Sequence, residues 1–120
     1  MSLFYNQTAA ILRPSVRVSR SNESQLDYSG LEDQPGRPWG NVRVRPLQQG
    51  ITTDDGGRSD TATWWIASEP GSGDVDLLPT DWLRLPSGEI VQVASAIARP
   101  SDPFTGQLHH VEVRVELAKG

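Results

Sequence analysis

The stretch "LHHVEVRVEL" at residues 108–117 constrains this 120-residue chain more than any other. Val111, Val113, Val115 and Leu117 fall at odd positions, and His110, Glu112, Arg114 and Glu116 at even ones. A period of two belongs to a strand with one row in a core and the other facing outward. Each buried apolar side chain contributes roughly 1.5–3 kcal/mol, so a one-residue slip, which would expose the whole row, is strongly disfavoured and the register is set. A strand specified this well requires a sheet to join.

The remaining sequence supplies one. "NVRVRP" places Val42 and Val44 on one face and Arg43 and Arg45 on the other, ending at Pro46, and "TATWWIA" at 61–67 is rich in strand-forming residues. In "WLRLPSGEIVQVASAIA" two β-rich runs flank Pro86-Ser87-Gly88, which predicts a hairpin. "TAAILRPSVRVSR" carries a strand signal interrupted at Pro14, which predicts one bent or broken edge strand. Before the final strand, Asp102-Pro103-Phe104-Thr105-Gly106 reads as a turn, with Pro103 limiting φ and Gly106 able to take a positive φ. The 11 glycines and 9 prolines lie between short apolar runs and favour turns over long helices. The expected fold is all-β: one domain over residues 1–120, a small antiparallel barrel or sandwich of about six strands that hides its edges.

Two long loops are expected within it. Residues 20–40 mix Ser, Asn, Asp, Gly and Pro without a period of 2 or 3.6, and residues 46–60 are polar and turn-rich. Loops of such length in a compact domain tend to be functional or mobile, so both are candidate contact surfaces. A third loop, "SEPGSGDVDLLPTD", holds Glu69, Asp74, Asp76 and Asp81 and no basic residue.

Several chemistries are excluded or unsupported. With no cysteine, the chain has neither disulfides, thiolate metal sites nor a cysteine nucleophile. The formal charge of −4 opposes nonspecific attraction to nucleic-acid phosphates. The longest apolar runs fall well short of the roughly 18 residues that span a bilayer, and the N-terminal segment lacks the charged start of a signal peptide, so a soluble intracellular protein with no membrane contact is expected. His109 and His110 are the only histidines, and on an extended strand they would point to opposite faces, unable to chelate one metal. "TTDDGGRSD" lacks the alternating ligands of a calcium loop. The chain contains no G-x-S-x-G elbow and no Walker-type loop, and no pair of carboxylates stands out for glycoside hydrolysis. The expected protein is not an enzyme and uses no cofactor or metal. Trp64 and Trp65, adjacent on one strand, must divide between the core and an outward or interfacial position.

The order "VRVRPLQQG" at 42–50, "WWIA" at 64–67, "TDWLRLPSGEIVQV" at 80–93 and "DPFTGQLHHVEVRVEL" at 102–117 resembles the head-closure proteins of long-tailed bacteriophages, the stopper or head-tail joining proteins. That family's recurring features are a strand ending in a Q-P or R-P step, an Asp-hydrophobic-x-hydrophobic segment before a short turn, a y-x-V strand, an N-P-x-T-G-like turn and a final h-v-e-v strand. Asp81, the Gly88 turn, Val91, Val93, Pro103, Thr105 and Gly106 occupy those places. Asp102 stands where Asn is usual, and Gln48, Gln49 and Gly50 replace the acidic residue usual after the Q-P step. The resemblance covers roughly residues 8–117.

It implies a structural virion protein at the head-tail interface, made in the host cytoplasm. Its copies would form a ring that closes the DNA-filled head and joins it to the tail. Implied partners are other copies of the chain, portal and adaptor proteins, and tail-terminator or tail-tube proteins, with double-stranded DNA passing through the ring without specific binding. Expected contacts are Tyr28 and Trp39 in the first loop, Arg43 and Arg45 as intersubunit ion-pair formers, Asp54 and Asp55 in the second loop, and the outward row of the last strand. Pro103, Thr105 and Gly106 are expected to be structural. The competing reading is a small β-barrel binding module for single-stranded nucleic acid or carbohydrate, in which an outward tryptophan stacks on its ligand.

Overall fold

A computed structural model of the chain describes residues 3–54 and 57–118, with side chains described outside 48–61. It is all-β. Strands β1 (Gln7–Leu12), β4 (Arg37–Asp54), β5 (Gly57–Ser68), β6 (Trp82–Arg84), β7 (Ile90–Val93) and β8 (Glu112–Leu117) close into an antiparallel barrel in the order β1-β4-β5-β8-β7-β6. A separate two-stranded ribbon pairs β2 (Ser15–Val18) with β3 (Ser24–Asp27). Closure leaves the barrel without a free edge and makes one interior of alternating strand residues.

That interior holds Ile11, Trp39, Val42, Trp64, Ile66, Leu83, Val91, Val113 and Val115, with Leu77, Leu85 and Val111 from the loops. The alternation in the last strand divides as its sequence requires, with Val113 and Val115 buried and Arg114 exposed. The β6–β7 hairpin turns through Pro86-Ser87-Gly88, where Gly88 has φ of 104°. Outside the barrel wall a smaller cluster joins Leu12, Leu31 and Trp82, so β1 buries the adjacent residues Ile11 and Leu12 on opposite faces. Leu31 lies in a single 3-10 turn (Leu31–Asp33) whose carbonyl ends are capped by Arg84, its Nη2 donating to Glu32 O at 2.7 Å and Gln34 O at 2.6 Å.

Three expectations are corrected. First, residues 46–54 and 57–60 are strand and not loop: after a register shift between Pro46 and Gln48, β4 and β5 stay paired from Gln48↔Thr63 to Asp54↔Gly57, past Val42 and Thr63, the last partners of β1 and β8. Six residue steps at about 3.4 Å carry the arm some 20 Å past the barrel. Pro46 fits within β4 because β1 no longer pairs there, and Gln7 takes over the next donor, its Oε1 accepting from Val44 N at 2.8 Å. Second, residues 20–40 contain β3, the 3-10 turn and the start of β4. Third, the run through Pro14 is two strands in different sheets, β1 in the barrel and β2 in the ribbon.

Both ribbons stand off the barrel. Val16 and Val18 are about two-thirds exposed, with Leu26 opposite Val16. The Cα radius of gyration, 16.3 Å, exceeds the roughly 13.6 Å of a compact domain of this length.

Candidate functional site

Seven of the ten arginines divide into two groups by what they touch. Arg13, Arg37, Arg84 and Arg99 hold the chain's own loops. The acidic loop between β5 and β6 receives three of them. Arg13 donates to the fully buried Asp81 through Nε (3.0 Å) and Nη2 (2.9 Å), and through Nη1 to Asp76 at 3.0 Å. Arg37 reaches Asp76 at 3.3 Å, and Arg99 reaches Asp74 at 2.9 Å and the carbonyls of Val75 and Leu77. Asp81 also accepts from Leu78 N at 2.8 Å. The Arg13 hydrogen bond holds the Asp76 carboxyl below the usual range, and Arg99 does the same for Asp74; the Arg13 guanidinium is stabilised in turn, first by Asp81. This acidic loop is thus neutralised from sequence-distant strands and is an anchored part of the barrel.

Arg43, Arg45 and Arg114 form the second group. All three are exposed on the outer wall, and among the described residues none of them forms an ion pair. The register places Arg45 opposite Trp65 and Trp65 opposite Arg114, giving a cross-strand row over β4, β5 and β8. Arg45 lies over the Trp65 ring, its Cζ 4.8 Å from the centroid, and Arg43 lies 5.8 Å from the ring of Phe4. Trp64 turns inward and is buried, leaving Trp65 half-buried on the wall. Beside Trp65 a shallow hollow of about 380 Å³ is bounded by Ser95, Ala96, Ala98, Glu112 and Arg114. Such a face can grip carboxylates or phosphates with its guanidinium groups and cover a planar group with its indole.

The remaining contact candidates scatter. Tyr28 stacks on Trp82 with ring centroids 4.7 Å apart and donates its hydroxyl to Thr80 O at 2.8 Å, at the edge of a second hollow of about 520 Å³. Trp39 is corrected from contact to core: it is buried in β4, because Ala9 and Trp39 face each other across the β1–β4 ladder. The Asp54 side chain and Asp55 lie outside the described residues. In the turn before β8, Asp102 accepts from Phe104 N at 2.8 Å through Oδ1, Thr105 Oγ1 accepts from Gln107 N at 3.3 Å, and Gly106 has φ of 73°. Pro103 and Thr105 lie within that turn, which holds Phe104 almost wholly exposed.

The histidines also differ from expectation. Strand β8 begins only at Glu112, and before it the two rings converge, Nδ1 to Nδ1 at 2.7 Å. His110 Nε2 lies 3.3 Å from Glu112 Oε2. Among the described residues no group of three or more His, Cys, Asp or Glu side chains is arranged to hold a metal ion.

Sequence reasoning found Arg43, Arg45, one outward ring of the Trp64–Trp65 pair and the outward row containing Arg114 separately, without telling which tryptophan faces out. It missed that the three strands align them, which only the strand order β4-β5-β8 decides. No protein-family model, curated protein or solved structure matches the chain.

Proposed function

We propose that this chain is a structural subunit of a phage or prophage head-closure ring, closing the DNA-filled head and joining it to the tail. The observation that supports this most is a closed barrel whose β4–β5 ladder continues past the last partners of β1 and β8, beside a separate β2–β3 ribbon with exposed Val16, Val18 and Leu26. Two-stranded ribbons gain little stability by themselves in water, and projecting ones on a fixed platform suit assembly with neighbours. The contact between identical copies in a ring is heterologous, one surface of each copy meeting a different surface of the next. A projecting arm and a separate barrel wall provide two such surfaces.

The test is deletion of the gene in its phage or prophage and electron microscopy of the lysate. Separate tails beside heads that leak DNA are the expected result; intact, infectious virions overturn the reading.

The Arg45–Trp65–Arg114 row favours a second reading, a binding module for single-stranded nucleic acid or carbohydrate, since bases stack on exposed rings while arginines take phosphates. It expects saturable quenching of tryptophan fluorescence when oligonucleotide or oligosaccharide is titrated into dilute protein. Unchanged emission removes it.

A further inference from the structure

The arginine wall and the hollow beside Tyr28 face opposite ways. In the closed order β1-β4-β5-β8-β7-β6, β4 and β7 stand three places apart, and so do β5 and β6. Arg43, Arg45 and Trp65 lie on the outer face of β4 and β5, whereas the hollow of about 520 Å³ lies outside β6 and β7, where Trp82 and Ile90 line it together with Tyr28 and Glu32. One molecule cannot bring these two faces together.

Their chemistry is complementary. Arg43, Arg45 and Arg114 form no ion pair among the described residues, and the outward carboxylates of β8 are engaged, Glu112 by His110 at 3.3 Å and Glu116 by Gln92 at 2.9 Å. Across the barrel, Glu32 and Asp33 follow one another in the 3-10 turn at the rim of the hollow, both exposed and neither in an ion pair among the described residues. The arginine at that turn, Arg84, is taken up by the carbonyl oxygens of Glu32 and Gln34. Below the two carboxylates the floor is apolar: Tyr28 stacked on the buried Trp82, with the half-buried Ile90 beside them. Stacked rings under a carboxylate rim suit a guanidinium or an indole.

We propose that the β4–β5 wall of one copy docks on the Tyr28–Trp82 hollow of the next, with Arg43 and Arg45 meeting Glu32 and Asp33 while Trp65 covers the apolar floor. This rests on the ring reading above and names its subunit contact. The contact is heterologous, so repeating it generates a ring, or a filament where the rotation does not close. The aromatic centre lies within a rim of charges, and the carboxylate-guanidinium pairs set register and speed the encounter.

The test uses two full-length charge-reversal variants, Glu32→Lys/Asp33→Lys and Arg43→Glu/Arg45→Glu, in sedimentation velocity over a range of protein concentrations. Circular dichroism and thermal melting establish that both retain the barrel; the single changes Asp33→Lys and Arg43→Glu, at exposed positions, replace a pair that fails to fold. The wild type is expected to assemble beyond a dimer. Each variant alone is expected to assemble at least about tenfold more weakly, because every contact then brings like charges together. An equimolar mixture is expected to recover assembly, since copies that alternate match the reversed rim of one to the reversed wall of the other and leave the second pair of faces native. Recovery only on mixing supports the contact. A wild type that stays monomeric, variants that assemble as the wild type does, or folded variants that fail to recover on mixing each overturn it. None of these three results decides the ring reading, which stands or falls on the gene deletion.

Discussion

Replacing Arg13 with Met measures how much the anchored acidic loop matters to the barrel. Asp81 is fully buried, and its carboxylate takes three hydrogen bonds, two from Arg13 and one from Leu78 N. Arg13→Met removes two of the three and leaves a buried charge with one donor. Breaking a buried ion pair from one side typically costs about 3–5 kcal/mol. The Arg13 side chain is 36% exposed, so water reaches the vacated position and the expected loss falls to about 2–4 kcal/mol. Against a total stability of about 5–15 kcal/mol for a small domain, the variant still folds. At roughly 3–5 °C per kcal/mol for a chain of this size, its melting midpoint drops by about 6–20 °C.

The control is Arg37→Met. Among the described residues Arg37 ion-pairs only with the largely exposed Asp76, so its midpoint stays within about 2 °C of the wild type. Thermal melting followed by far-ultraviolet circular dichroism, with urea denaturation as a second probe, separates the two. Equal losses in both variants would refute the reasoning, because they would mean that burial of Asp81 does not decide the value of its partner.

Two further outcomes follow from backbone geometry and from charge. Gly36 has φ of +72°, and a Cβ there would sit 2.8 Å from Ile11 O and from Leu12 Cδ2, whereas Gly30, with φ of +69°, has open space around it. Gly36→Ala is expected to cost about 2 kcal/mol or more in urea denaturation and Gly30→Ala about 1 kcal/mol; equal costs would count against the close approach of β1. Asp74 and Asp76 are held below their ordinary acidity range by Arg99 and Arg13, so near pH 4 the unfolded chain binds more protons than the folded one. Their contribution is complete above the unfolded carboxyl range and is lost as pH falls through the lower folded values. Urea midpoints are therefore expected to fall below about pH 4, and Arg99→Met to flatten that fall; an unchanged slope in the variant removes Arg99 as a cause.

What the sequence shows most plainly is whatever faces a core on one side only. The last strand and the β6–β7 hairpin are legible for that reason, since Val111, Val113, Val115, Leu83 and Val91 mark the inward row and Pro86-Ser87-Gly88 marks the turn. The arm is illegible for the converse reason: alternation records burial on one face, and from Gln48 on the β4–β5 ladder runs past the last partners that β1 and β8 offer. Gln48, Gln49, Thr52 and Thr53 then read as loop although the ladder continues through them. Trp39 shows tertiary context overriding local chemistry, because Pro38 and Gly40 beside it signal a turn while β1 draws the segment into the barrel as a strand. The Arg13–Asp81 anchor joins residues 68 apart and has no local pattern that could announce it. The turn at 102–106 is local, and its sequence suffices.

Trp65 lets the two readings of the arginine wall be separated in one sample. Trp39, Trp64 and Trp82 are 5%, 5% and 8% exposed, so collisional quenching by acrylamide reports almost entirely on Trp65. If the wall receives another copy of the chain, the quenching constant of the protein alone falls as its concentration rises. If the wall is a ligand site, dilute protein is protected only when oligonucleotide or oligosaccharide is added. An Arg114→Ala variant weakens protection in both cases and so marks the wall without choosing its occupant. A quenching constant unchanged by either protein concentration or ligand would remove Trp65 from both, leaving the exposed Val16, Val18 and Leu26 of the β2–β3 ribbon as the surface where assembly has to be sought.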